Sequence, residues 1–165
     1  MKKSIALVGL PGAGKTTTGR RLAARLRLPF QDSDEAIEAE TGLSVRDIFA
    51  QAGEAQFRAL ERQAIARLAE GPPGVLSTGG GAFLDANSRA LLLARCTVIW
   101  LDGDVGIFAT RAGSRPLLDP ADPVSSLHRL AAARNPIYAE AHLRIDCGML
   151  RPNQVADLIL AALRI

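Results

Sequence analysis

Residues 9–16 read GLPGAGKT and fit the pattern G-x-x-x-x-G-K-[ST]. Glycines at these spacings let successive backbone N–H groups turn inward on phosphate oxygens, and a helix starting here adds its positive dipole end. In that geometry Lys15 bridges the β- and γ-phosphates of a nucleotide and Thr16 ligates Mg²⁺. A chance Gly-rich turn is the ordinary alternative. Two features argue against it. The stretch lies between an apolar run and a helical pattern, and Lys15 is one of three lysines in a chain with 17 arginines. A chain that writes Arg nearly everywhere has kept Lys where a compact, flexible point charge is needed.

A phosphate cradle alone serves switches, pumps and kinases, so the acceptor side must be sought elsewhere. PFQDSDEAIE, residues 29–38, places Asp32 and Asp34 two apart at the tip of a short strand. Side chains two apart on a strand point the same way. One carboxylate can then hold a metal's water shell while the other accepts a hydroxyl proton. The competing reading makes them solvated charges or caps, with Asp34 as the N-cap of the next helix. Arg58 follows Phe57 on the buried edge of a helix, where an unpaired guanidinium is costly and a substrate carboxylate would be bound bidentately. A local pair with Glu61 or Glu54 is the alternative there. STGGG ends a strand in Gly79, Gly80 and Gly81, which makes sense if something must approach that backbone closely. VIWLD, ending at Asp102, imitates a metal-holding strand end, but an aspartate can equally just open a loop.

The elements that must position these groups alternate. Strands are expected at 4–9, 29–32, 75–78, 97–101 and 143–146. Helices are expected from the Gly-rich turn to about 27, and at 35–41, 45–51, 54–70, 85–94, 105–112, 124–142 and 153–163. Pro136 should kink or break its helix. Apolar strands alternating with helices argue for a parallel sheet covered on both faces, with ligands at the carboxyl ends of the strands. The length of 165 residues suits one domain, and with 48% hydrophobic but only 4% aromatic residues the core must be aliphatic. The net charge of +3 is too small to announce a nucleic-acid binder. No apolar run approaches the roughly 18 residues of a membrane span, and the apolar stretch after Lys2 and Lys3 is too short for a signal peptide, so a cytoplasmic protein is expected. Cys96 and Cys147 read as buried thiols, and His128 and His142 as helix-surface residues.

Taken together, GLPGAGKTT, FQDSDEAIE, GLSVRDIFAQAGEAQFRALE, STGGGAF, RPLL and RNPIYAEAH follow one another as in shikimate kinases, and nearly the whole chain resembles that family. The resemblance implies a P-loop three-layer sandwich: a five-stranded parallel sheet in order 2-3-1-4-5, flanked by helices, with a mobile lid. It implies a single kinase domain over 1–165, with an acceptor-binding segment at about 32–61 and the lid at about 113–123. ATP would be the phosphate donor and Mg²⁺ the metal, with Gly12, Ala13, Gly14, Lys15, Thr16 and Thr17 around the phosphates and Thr16 and Asp32 toward the metal. Asp34 would bind the shikimate hydroxyls and act as base, and Arg58 and Arg134 would clamp the carboxylate beside Gly80 and Gly81. Arg115 would be the lid arginine, and Arg111 and Pro152 would flank adenine. The resemblance also demotes Asp102, because its strand-end counterpart is the one ending in STGGG.

A gluconate or nucleoside-monophosphate kinase is the nearest rival; one Trp and one Tyr offer little for a nucleotide acceptor. A catalytically silent regulator on this fold is a rival of another class, but Lys15, Asp34, Arg58 and Arg134 are all present, and no Asn-Lys-x-Asp switch motif occurs. The expected partners are shikimate and ATP, with no nucleic acid or membrane, and the expected state is a monomer.

Overall fold

The computed structural model describes residues 3–112 and 118–165. Five strands, β1 (Ser4–Val8), β2 (Phe30–Asp32), β3 (Val75–Ser77), β4 (Cys96–Asp102) and β5 (Leu143–Asp146), form one sheet in the order β2-β3-β1-β4-β5. All neighbours run parallel. This is the order that the resemblance implies. All five residues of β1 are buried, as expected of a central strand covered on both faces. The register sets Asp32 opposite Ser77 and Ser77 opposite Leu7, so the carboxyl ends of β2, β3 and β1 meet at one rim.

Helices α1 (Lys15–Leu26), α2 (Ser33–Thr41), α3 (Val45–Glu70), α4 (Ala86–Arg95), α5 (Val105–Ala112), α6 (Pro123–Tyr138) and α7 (Pro152–Ala162) connect the strands. Several of them start at side-chain caps that the sequence places there. Ser44 accepts the Asp47 amide at 3.0 Å, and Asp85 accepts the Ser88 amide at 2.9 Å. Gly53, at φ 85°, interrupts α3 where the two expected helices meet. The main core is aliphatic apart from Phe83, Phe108, Trp100 and Tyr138. A second, smaller cluster of Ile37, Ile48, Phe57 and Ala64 fixes α2 against α3 and thereby sets where Asp34 and Arg58 lie.

Two expectations fail. Pro136 lies inside α6 without ending it, since the helix runs on to Tyr138, though not to the expected 142. In the last turn the missing N–H removes a single bond close to where the helix stops anyway. His142 is no helix-surface residue either: it lies beyond α6, and its Nδ1 accepts the Val98 amide at 2.9 Å. Cys96 and Cys147 are buried, and burial pushes their thiols up to about 11 and about 12.

Candidate active site

The loop between β1 and α1 takes its shape from two glycines. Gly12 and Gly14 have φ of 83° and 85°, in the left-handed region. A Cβ on Gly12 would sit 2.2 Å from the Phe108 carbonyl oxygen, so the loop could not pack under α5 with any larger residue. Ala13 turns its methyl into the core and leaves its backbone to the loop. Lys15 is buried, with Nζ donating to the carbonyls of Gly9 at 2.8 Å and Leu10 at 2.9 Å. The loop therefore holds one ammonium at its centre and the first turn of a 12-residue helix beside it.

Thr16 and Asp32 meet at the rim. The Thr16 hydroxyl donates to Asp32 Oδ2 at 2.6 Å, and Asp32 Oδ1 accepts the Glu35 amide at 3.0 Å as the N-cap of α2. A hydroxyl that gives its proton to a carboxylate keeps lone pairs for a cation. Among the described residues no group of three or more His, Cys, Asp or Glu could hold a metal. An oxygen pair completed by phosphate and water suits Mg²⁺, which keeps several waters and takes few protein ligands. The residues present fit that ion.

Asp34 lies in the first turn of α2, not on β2, so the two aspartates do not share a strand face. Both still line one cavity of about 360 Å³, together with the phosphate loop, Thr17, Arg111, Arg58, Arg134 and the three glycines. The glycines make room for these charged groups. A Cβ on Gly79 would lie 2.8 Å from both Asp34 Oδ1 and Glu61 Oε2. One on Gly80 would lie 3.1 Å from Arg134 Nη1, and one on Gly81 would lie 2.4 Å from Arg58 Nη1. The Ser33 hydroxyl accepts the Gly79 amide at 2.9 Å, and the Tyr138 hydroxyl donates to the Gly80 carbonyl.

Arg58 does make its local pairs, to Glu61 at 2.8 Å and to Glu54 at 3.4 Å, yet its guanidinium still faces the cavity. Arg134 is only 5% exposed and packs near Glu61 and against Tyr138. Burial pushes the Glu61 carboxyl above its ordinary 4.5, although Arg58 and Arg134 pull it down. Between those two values folded Glu61 keeps a proton that the unfolded chain has lost, so its contribution to stability falls as pH rises through that window. Glu61→Gln should abolish this component: as pH rises above 4.5, wild type should lose thermal stability relative to the variant. Curves that stay parallel would contradict the raised value.

Four further positions weighed in the sequence fare differently. Pro152 opens α7 and is not among the cavity's lining residues. Arg111 lines the cavity from the last turn of α5. Arg115 lies outside the described residues, as do residues 113–117 of the expected lid. Asp102, the last residue of β4, is engaged by Arg144 through Nε at 2.9 Å and Nη2 at 2.8 Å, and accepts the Gly103 amide at 2.8 Å. Glu61, Ser33, Ser77 and Tyr138 carry no site role in the sequence analysis, although the structure sets all four at or beside the cavity. Tyr138 was within reach, since it lies four residues after Arg134 on the same helix face.

A parallel sheet in this order, a phosphate loop after its first strand and a charged pocket facing that loop define a P-loop kinase of a small molecule. The chain belongs to the shikimate kinase family, whose model matches residues 11–164. It is 49% identical to a shikimate kinase of Caulobacter vibrioides over 98% of this chain and 82% of that protein. A shikimate kinase of Paramagnetospirillum magneticum is 51% identical over 87% and 75% of the two chains. Among solved structures, shikimate kinase from Acinetobacter baumannii in complex with shikimate superposes with a TM-score of 0.96 at 38% identity, covering 99% and 94%. The enzyme from Aquifex aeolicus gives 0.84 at 32%, covering 98% and 96%.

Proposed function

We propose that this site transfers the γ-phosphoryl group of ATP to the 3-hydroxyl of shikimate, giving shikimate 3-phosphate and ADP. The observation that carries the reading is the convergence of Arg58, Arg134 and Asp34 on the cavity that the phosphate loop also lines. Two guanidiniums suit one carboxylate, and a carboxylate beside them suits a hydroxyl that must lose a proton.

Backbone amides from Gly12 to Thr17 and the Lys15 ammonium hold the phosphates. Lys15 exchanges its loop carbonyls for phosphate oxygens, which are the stronger acceptors. Thr16 and Asp32 are the residues that hold Mg²⁺, which when bound neutralises charge on the β- and γ-phosphates. Arg58 and Arg134 orient shikimate through its carboxylate, with the amides of Gly80 and Gly81 beside them. Asp34 accepts the 3-hydroxyl proton as that oxygen forms the new O–P bond. The bond from phosphorus to the β,γ-bridging oxygen breaks, and its electron pair leaves on ADP. Arg115, by family resemblance, adds positive charge as the lid closes, and Arg111 and Pro152 flank adenine. Little covalent work falls to the protein, so rate comes from alignment and charge neutralisation.

We take the enzyme to act as a monomer, one domain with its acceptor segment at 32–61 and its lid at 113–123. Its two buried cysteines and its use of ATP suit the cytoplasm. No helix among the described residues is long and apolar enough to cross a membrane.

Gly81→Ala tests the clamp. Its methyl would press on the Arg58 guanidinium, which must retreat. Losing one charge-assisted hydrogen bond predicts an increase in the KM for shikimate of roughly 10- to 100-fold, with the KM for ATP nearly unchanged. Equal effects on both would place Gly81 outside the acceptor site. The reaction itself is tested by ³¹P NMR of a shikimate and Mg·ATP mixture. A phosphomonoester signal coupled to the ring proton at C3, growing in step with ADP, is expected. Inorganic phosphate alone would overturn the assignment.

A further inference from the structure

Tyr138 closes α6 with its ring fully buried, tilted against Trp100 of β4 at 6.0 Å between centroids. Phenylalanine would fill that space as well, so packing alone gives no reason for the hydroxyl. The hydroxyl meets both the backbone and the side-chain arm of the acceptor clamp. It donates to the Gly80 carbonyl. The Arg134 guanidinium, one helical turn back, bears on the same oxygen as a charge and as a hydrogen-bond donor. Burial raises the phenol above its ordinary 10.0, against the pull of Arg134, so at neutral pH it keeps its proton for the carbonyl.

The bond to Gly80 does more than hold a turn. The peptide joining Gly80 to Gly81 is planar and trans, so its C=O and N–H point in opposite directions. A carbonyl fixed on Tyr138 therefore aims the Gly81 N–H away from Tyr138. The neighbouring amides are already engaged: Gly79 donates to Ser33 Oγ at 2.9 Å, Ala82 to the Gly79 carbonyl at 3.0 Å and Leu84 to the Gly81 carbonyl at 3.1 Å. Among the described residues no hydrogen bond takes the Gly81 amide, although Gly81 is buried and lines the cavity. A buried N–H without an acceptor is costly, and a substrate carboxylate would supply one. Gly80 itself packs between Arg134 and the phosphate loop, since a Cβ there would lie 3.1 Å from Arg134 Nη1 and 3.3 Å from Pro11 Cδ. We propose that Tyr138 is a positioning residue for the acceptor's carboxylate: its hydroxyl sets the Gly80–Gly81 peptide so that the Gly81 amide donates to that carboxylate beside Arg134. This rests on the reading of the carboxylate clamp above.

The test is calorimetric titration of wild type and Tyr138→Phe with shikimate and with the analogue in which a hydroxymethyl group replaces the carboxylate. Wild type should prefer shikimate, and Tyr138→Phe should bind shikimate about 10-fold more weakly, the scale of one hydrogen bond to a charged group. Binding of the hydroxymethyl analogue should change by less than about twofold, because the misaimed amide then has no charge to meet. In turnover the loss should fall on the KM for shikimate, with kcat and the KM for ATP within about twofold of wild type. Equal weakening of both acceptors would make Tyr138 a packing residue and overturn the inference. Unchanged shikimate affinity in a folded Tyr138→Phe would overturn it too, leaving the clamp intact. Wild type that binds the two acceptors equally would overturn the clamp reading along with it. A crystal structure of wild type with shikimate reads the same role without a variant: the Gly81 nitrogen should lie at about 2.7–3.2 Å from a carboxylate oxygen, and a Gly81 amide bonded elsewhere would refute the role.

Discussion

Asp34→Asn should lower kcat by about two to four orders of magnitude while ADP binds within about twofold of wild type. The amide keeps the size of the side chain and removes its ability to take a proton. The structure separates this loss from a loss of fold. Asp32, not Asp34, caps α2 through the Glu35 amide, so the helix start survives the change. As a first-turn charge Asp34 adds about 0.3–1 kcal/mol to the helix. A variant that melts near the wild-type temperature, binds ADP and turns over hardly at all would fit the base role. Loss of ADP binding and thermal stability together would instead make Asp34 a structural residue of α2.

Lys15→Arg is the second large effect. Arginine is this chain's default cation, 17 to three, so the substitution keeps charge and follows the chain's own habit. It should nonetheless reduce kcat/KM for ATP by at least about 100-fold, the scale of losing one preorganised charge at a transferring group. The Lys15 ammonium sits between the Gly9 and Leu10 carbonyls, at 2.8 and 2.9 Å, in a buried slot. A planar guanidinium is wider, and its fixed fork cannot turn from those carbonyls to two phosphates as three rotating N–H groups can. Activity near wild type would show that only charge matters there, and that the isolated lysine carries no geometric meaning.

The phosphate loop was legible because its information is local. Gly12, Gly14, Lys15 and Thr16 act through spacing along one turn, and the structure adds only what each glycine avoids touching. The acceptor side was less so. Asp32 and Asp34 can each cap α2 by sequence, and only the Glu35 amide, 3.0 Å from Asp32, decides between them. Arg58 follows two rules at once, pairing with Glu61 as i,i+3 spacing predicts and still facing the cavity, because Glu61 is itself buried there. Gly79 clears space for Asp34 and Glu61, which lie 45 and 18 residues back along the chain. Asp102 was settled by Arg144, 42 residues away, a partner no local pattern names. His142 joins the sheet for the same kind of reason, through the amide of a strand that precedes it by 44 residues.

The sheet order follows from physics that acts locally and repeatedly: buried apolar strands joined by helices must be parallel, with their carboxyl ends at one rim. The order 2-3-1-4-5 itself came with the family resemblance, and the strand pairing bears it out.

The central claim is that the wall carrying Asp34, Arg58 and Arg134 is built for one hydroxylated carboxylate. The most direct measurement is ADP release from Mg·ATP with shikimate, gluconate, AMP or no acceptor in parallel. Turnover with shikimate at least 100-fold above each other well is the predicted result, on the scale by which a site built around hydrogen bonds rejects analogues that cannot make them. Comparable turnover with gluconate or AMP would contradict it, leaving the phosphate loop in place and the reading of Arg58 and Arg134 wrong.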